Sequence, residues 1–274
     1  MLDAIHGLNI ALPVMYIVTF ALYVIAFFKD NSGLENIKRV ILFITCTTHV
    51  FYLLARTIEF NHPPITTKFE IFTVLAFSIA CSYFLLELVT DNRGTGLFIL
   101  LFSVLFQVIS SLFIQDLIEV REVLRNRMLG MHVISALLGY SGITISAVHG
   151  LLFLILYKDI KLNKFSIIFN RLPSLETLEK MSFISLIIGF LLLTLSISIG
   201  IIWLPGAFPD YSFLDPKLIS TALVWLVYGT GIIIKLSGIW YGKKVIWFSL
   251  AGFIIAMFSL MLSNIFASSF HSFY

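Results

Sequence analysis

Eight stretches of the chain are apolar for long enough to cross the hydrocarbon of a bilayer, which takes about 20 residues of helix. They run over 5–28, 37–56, 69–90, 96–115, 131–157, 181–204, 218–237 and 246–266. The runs are continuous and do not alternate with the two-residue period of a membrane strand. The expected fold is therefore an all-α, polytopic membrane helical bundle of about eight transmembrane helices. Charged residues make up 12% of the chain and apolar ones 59%. A soluble domain carries about 25% charged residues, so a water-soluble globule and a disordered chain are both excluded. The connections are short, and no repeat or low-complexity linker divides the chain, so residues 1–274 read as one domain. Met1-Leu2-Asp3 lacks the basic start of a cleavable signal, and the first run is expected to stay as a helix.

Lysine and arginine set the orientation. Lys29, Lys38, Arg39, Arg93, Lys158, Lys161, Lys164, Arg171, Lys180, Lys235, Lys243 and Lys244 fall on one side. Arg56, Lys68, Arg121, Arg125, Arg127 and Lys217 fall on the other. The richer side is expected to be cytoplasmic, and an even helix count then puts both termini on the outer side. The loop 116–130, the segment 205–217 and the tail 267–274 share that outer face. On the inner face, residues 172–180 are expected to form a short surface helix capped by Ser174, with Glu176 and Thr177 in its first turn. The net charge of +3 is dispersed, which speaks against nucleic acid and leaves the lipid bilayer as the bulk partner. Cys46 and Cys81 lie inside apolar runs and form no C-x-x-C pair, so dithiol redox chemistry and covalent c-type haem attachment are excluded.

Histidine is the most informative polar residue in such a chain, as an iron ligand and as a group that titrates near neutral pH. His132, at the outer start of the fifth run, and His271, just beyond the outer end of the eighth, share one membrane level. Two imidazoles facing each other across a flat apolar ligand make a bis-histidine haem site. Two interfacial histidines in contact with water and headgroups fit the same positions, and position alone favours that simpler reading. His149 lies about 25 Å deeper than His132 at about 1.5 Å per residue, so the two cannot serve one site. His49 is near mid-depth in the second run. A haem between His49 and His149 is conceivable, but their depths match poorly, and a bond to a backbone carbonyl is the expectation for each. His6 is expected at the interface.

The outer segment from Gly200 to Lys217 gathers Trp203, Phe208, Tyr211 and Phe213 among prolines and glycines. Such rings can stack on a porphyrin and Lys217 can pair with a propionate; an interfacial aromatic belt has the same composition. Asp215-Pro216-Lys217 is expected to form a tight ordered turn. A second outer hairpin carries Arg56, His62-Pro63-Pro64 and Phe69-Glu70. Glu70 suits a helix start. Arg56 can neutralise an acid or a propionate, or simply snorkel to the headgroups, which is the simpler reading for a single residue.

Taken in order along the chain, these segments resemble the cytochrome c assembly family of integral membrane haem-handling proteins, with its CcsA-type and smaller HemX-type members. The family's outer segment has the form G-x-x-W-A-x-x-x-W-G-x-Y-W-x-W-D-P-K, and Gly200, Trp203, Tyr211, Asp215, Pro216 and Lys217 fall at matching spacings. Leu172 to Glu179 resembles its inner connector. Met131-His132-Val133 with Gly139-Tyr140 resembles its H-V-x-x-x-x-x-G-Y stretch. His62, Pro64 and Phe69-Glu70 resemble its G-H-x-P-x-x-x-x-Y-E hairpin, and His271-Ser272-Phe273 its terminal H-S-Y. The chain departs from the family at Phe208, Ser212 and Leu214, where tryptophans are expected, and at Ile233, where an intramembrane histidine is expected.

The resemblance implies that His132 and His271 ligate haem iron, that residues 203–217 form the platform under the porphyrin, and that haem b is carried as cargo. It implies a multi-pass protein of the cell's inner (plasma) membrane that holds haem at the outer face for delivery to apocytochrome c. A CcsB/ResB-like membrane partner is expected, and the chain contributes no nucleophile of its own, so it acts as a chaperone or as part of a synthase. The departures suit an alternative, a HemX-like regulator of a tetrapyrrole-biosynthesis enzyme that makes contact through the inner loop 158–180 without haem transfer. A haem or small-molecule transporter is a third reading, for which Glu87, His49 and His149 form no continuous set.

Overall fold

The computed structural model describes residues 1–29, 32–92, 94–117, 119–164, 166–207, 212 and 214–265. The helices are α1 (Leu2–Phe28), α2 (Ser32–Phe60), α3 (Lys68–Thr90), α4 (Gly96–Phe113), α5 (Arg127–Lys161), a short α6 (Ile167–Arg171), α7 (Leu175–Ala207), α8 (Pro216–Leu236) and α9 (Lys243–Ile265). A single 3-10 turn, Glu122–Arg125, precedes α5, and no strand occurs among the described residues. Helices α1–α5, α7 and α8 are long and apolar enough to span a membrane, and α9 fills the eighth apolar run. The all-α polytopic bundle read from the runs is the fold observed.

Several helices outrun their apolar stretches, for identifiable reasons. α2 begins at Ser32 because its charged first turns are themselves helical, with Lys38 paired to Glu35 at 2.6 Å one turn away. α5 begins at Arg127 because the Asn126 side chain accepts the Met128 amide at 2.8 Å and caps the helix. The short inner helix expected over 172–180 is instead the first turns of α7. Ser174 does accept the Thr177 amide, at 3.2 Å, but nothing after it breaks the backbone, and the helix runs on to Ala207. The short surface helix lies one segment earlier, as α6, capped by Ser166.

Helices α1–α4 pack together, α7 and α9 pack on α5, which also contacts α3, and α8 packs on α9 and α7. Two apolar clusters result: one runs through α1–α4 into α5 and reaches Leu178 of α7 and Ile246 of α9, the other joins Tyr140 and Ile143 of α5 to α7, α8 and α9. Lipid supplies no hydrophobic drive between helices, so small residues and interhelical hydrogen bonds must hold them. The antiparallel pair α5–α7 shows how. A Cβ on Gly142 would lie 2.8 Å from the Gly189 Cα, and one on Gly189 would lie 2.8 Å from the Gly139 carbonyl oxygen. Seven residues further towards the inner face, the Ser182 hydroxyl donates to the Ser146 carbonyl at 2.9 Å. Seven residues the other way, His132 meets Ser196. The seam thus keeps one register over three levels, two heptad steps, and the Ser146 hydroxyl, 3.1 Å from that of Ser249, fastens α9 to it.

The two ends of the bundle differ in their polar contacts. Arg39 pairs with Asp91 at 2.8 Å, and Lys235 with Glu179, at the lysine-rich end. His6, Arg56, Glu70 and Asp116 cluster at the opposite end, as expected from the charge count.

Gly189→Leu is predicted to lower the melting temperature of the purified protein sharply, because overpacking costs about 1–3 kcal/mol and the neighbours here are backbone. Gly7→Leu, whose Cβ meets nothing within 4 Å, should leave it unchanged; equal shifts in both variants would contradict the seam.

Candidate functional site

One end of the α5–α7 seam carries His132, the first of the candidate ligands. His132 lies in the second turn of α5, half-buried, with Nδ1 2.8 Å from the Ser196 carbonyl oxygen of α7. A carbonyl only accepts, so Nδ1 carries the proton and Nε2 keeps its lone pair. The Ser196 hydroxyl donates to the His132 carbonyl at 2.8 Å and closes the pair. The ring lies against Gly200, where a Cβ would come 3.0 Å from Cε1 and 3.1 Å from Nδ1. Gly200 therefore makes room for the imidazole, and the seam register aims it. An Nδ1–H bonded to a backbone carbonyl fixes the tautomer and orientation of a metal-ligating histidine and raises its basicity.

One turn beyond Gly200, Trp203 packs beside a small apolar cluster of Ile65, Leu124 and Leu129, with Val120, Val123 and Val133 against it. This cluster joins three outer elements: the hairpin after α2, the 3-10 turn and the start of α5. Asp215 caps α8, its Oδ1 accepting the Lys217 amide at 2.7 Å, and Pro216 opens the helix. That is the tight turn expected from Asp-Pro-Lys. The Lys217 ammonium donates to the Ser259 carbonyl of α9 at 3.0 Å. Phe208, Tyr211, Phe213 and His271 lie outside the described residues.

Arg56 is buried and does not snorkel. Its Nη1 donates to Asp116 at 2.9 Å and its Nη2 to Glu70 at 3.0 Å and to the Gln115 carbonyl at 3.1 Å, while the guanidinium lies 4.8 Å from the Phe60 ring centre. Of its two sequence-level roles, neutralising an acid is the one the protein's own carboxylates occupy. Glu70 also accepts from the Thr66 amide and hydroxyl, at 2.8 and 2.6 Å. Breaking a buried pair of this kind typically costs about 3–5 kcal/mol. Asp116 accepts from exposed His6 at 2.7 Å as well. Partial burial pushes the Asp116 carboxyl up, but the hydrogen bonds from His6 and Arg56 and the guanidinium charge outweigh it and hold the group below the usual carboxylate range.

The two intramembrane histidines sit apart from this cluster. His149 Nδ1 donates to the Ile145 carbonyl at 2.9 Å, as expected, and its Nε2 lies 3.3 Å from the Thr95 hydroxyl. His49 differs from expectation: its partners are side chains. Thr73 donates to Gln107 at 2.8 Å, so it accepts from His49 Nε2 at 3.0 Å, and Tyr16 donates to His49 Nδ1 at 2.9 Å. Both His49 nitrogens are occupied, which leaves no lone pair for a metal. Ile233, where the resemblance leads us to expect an intramembrane histidine, is 65% exposed on the surface of α8. The sequence reading overlooked Ser196 and Asp116. The signal for Ser196 was its place seven residues from Gly189, opposite His132 in the antiparallel register; Asp116 carried none.

The family model for cytochrome C assembly protein matches residues 8–271. The chain is 25% identical to the cytochrome c biogenesis protein CcsA of Guillardia theta, over 84% of this chain and 83% of that one. It is 25% identical to the cytochrome c biogenesis protein CcsA of Heterosigma akashiwo, over 81% and 80%. It is 23% identical to protein HemX of Brevibacillus brevis, over 78% and 79%.

The lowered Asp116 carboxyl fixes the sign of a pH effect. Its contribution is complete above the ordinary carboxylate value of about 4 and fades as pH falls through its depressed value. The melting-temperature gap between the native protein and Asp116→Asn is therefore predicted to be present at pH 7 and to close as pH drops below about 4; a gap that widens on acidification contradicts the assignment.

Proposed function

The chain belongs to the cytochrome c assembly protein family, and from that membership we propose that it holds haem b as cargo at the outer face of the cell's inner (plasma) membrane, for delivery to apocytochrome c. His132 and His271 are the axial ligands in this reading. Trp203, Phe208, Tyr211 and Phe213 form the apolar platform, and Lys217, set by Asp215, answers a propionate. Arg56 belongs to the outer frame around them. The observation that carries the reading is the His132 imidazole, held by Ser196, seated on Gly200 and keeping the Nε2 lone pair unprotonated. That is the state of an iron ligand, and His132 fits the group.

The chemistry of haem attachment is addition of cysteine thiols to the vinyl groups. The chain's part is to bind, orient and shield: the imidazoles would hold the iron and the aromatic side chains would exclude water. Large outer segments are lacking among the described residues, where the outer connections are short, so a CcsB/ResB-like partner is the expected companion in presenting apocytochrome c. A second reading, a HemX-like regulator of a tetrapyrrole-biosynthesis enzyme, draws support from Ile233 where the resemblance leads us to expect an intramembrane histidine and from the likeness to HemX. Gene deletion separates the two. Loss of c-type cytochromes supports haem delivery, and altered abundance of an early tetrapyrrole enzyme supports regulation.

The direct test is the optical spectrum of the purified, reduced protein. His132→Ala and His271→Ala should each remove most of the Soret absorbance. Gly200→Leu should lower haem retention by about 10–100-fold, as loss of a ligand's support typically does. Unchanged Soret absorbance and retention in both alanine variants would overturn the ligand assignment.

A further inference from the structure

The loop that leaves α4 is pinned at three consecutive residues by side chains from three other elements. Arg56 of α2 donates to the Gln115 carbonyl at 3.1 Å and to Asp116 Oδ1 at 2.9 Å. His6 of α1 donates to Asp116 Oδ2 at 2.7 Å. His62, buried in the α2–α3 hairpin, donates from Nε2 to the Leu117 carbonyl at 3.0 Å. Surface loops are ordinarily the least restrained parts of a fold, and this one is held by a buried guanidinium between two carboxylates. A few residues on, Val120, Val123 and Leu124 pack with Ile65, Leu129 and Val133 around Trp203. Leu129 and Val133 flank His132 in the first turns of α5. The same loop thus ties α1–α4 to the outer ends of α5 and α7.

We propose that the Glu70–Arg56–Asp116 cluster is a latch that pins residues 114–117 and so holds the turn 120–126 against Trp203 and the His132 end of the α5–α7 seam, which makes Arg56 a positioning residue for the haem face. This rests on the haem reading above for its purpose, but the latch itself is a property of the polypeptide. The division of labour follows from chemistry. Both Nη groups of Arg56 are committed to protein oxygens, and Glu70 is held in turn by Thr66 and by its place in the first turn of α3, where Thr67 caps the helix by accepting the Glu70 amide at 3.1 Å. Arg56 Nε makes no hydrogen bond, but Arg56 is 2% exposed, so a propionate would have to open this cluster to reach the guanidinium. Arg56 instead acts through Gln115 and Asp116, and through the apolar turn behind them, on the side chains that face the ligand. Asp116 is the member nearest solvent and His6 its exposed outer neighbour, so the latch is weakest at that edge.

The experiment reads loop opening without haem. Leu124 is buried in the cluster around Trp203. In Leu124→Cys protein that also carries Cys46→Ala and Cys81→Ala, to remove the two native free thiols, and is stripped of haem, the rate of labelling by a membrane-impermeant maleimide reports opening. Arg56→Gln should speed labelling about tenfold or more and Asp116→Ala about threefold, the scale on which losing charge-assisted bonds shifts a local opening equilibrium. Arg56→Lys, which keeps the charge but not the two-armed geometry, should fall between. In protein that retains haem, Arg56→Gln should also shift the reduced absorption band, with Arg56→Lys restoring part of it. Unchanged labelling in both Arg56→Gln and Asp116→Ala overturns the latch whatever the haem content. Faster labelling in a protein that binds no haem keeps the latch and overturns the reading of its purpose. Asp116→Ala leaves the Arg56–Glu70 pair intact, so the test survives if Arg56→Gln fails to fold.

Discussion

The contact on which the rest depends is the close approach of α5 and α7. Inside a bilayer, Leu against Leu gains little over Leu against lipid, so helix pairs are held where backbones touch and hydroxyls bond across. Gly139 and Gly142 against Gly189 bring the two backbones into contact, and Ser146–Ser182 and His132–Ser196 continue the seam by seven residues on either side. A slip of one residue would lose all three at once. The register that packs the bundle is the same one that presents the His132 tautomer with its Nε2 lone pair at the outer rim. Packing and site are in this sense one arrangement.

The remaining elements answer to that pair. Helices α8 and α9 lie on it through Tyr140, Leu186, Val224 and Tyr228, and bring Asp215, Lys217 and Ser259 to the outer end. Helices α1–α4 share an apolar cluster that continues into α5, and they enclose a polar chain in which Tyr16, His49, Thr73, Gln107 and Ser111 bond in a single direction. Buried polar groups in lipid demand such saturation, because water is not there to supply it. Their outer ends meet the α5–α7 pair through the pinned loop.

The sequence carried the fold because membrane crossings are written as uninterrupted apolar length. All eight runs are helical over their described residues, with Arg39 and Lys235 at one end of the bundle and Arg56 at the other. It carried less about the ends of the helices. The charged turns opening α2 and the polar turn opening α5 are helical through an ion pair and a cap, neither of which registers as hydropathy. Ser174 was recognisable as a cap, but not that its helix would run unbroken through the membrane to Ala207. At the site, His132, Asp215 and Lys217 were legible as polar residues at a membrane edge. Gly200 was legible as a motif position and its reason was not, since the ring it admits comes from another helix. Arg56 could not be assigned, because Asp116, which takes one arm of its guanidinium, stands in a loop with no pattern of its own.

The measurement closest to the central claim is the low-temperature EPR spectrum of the ferric protein as purified. The account predicts a low-spin signal of two imidazole ligands, lost from His132→Ala and from His271→Ala and recovered in each by added imidazole. A high-spin or single-histidine signal unaffected by either substitution would contradict the pairing of these two residues on one iron.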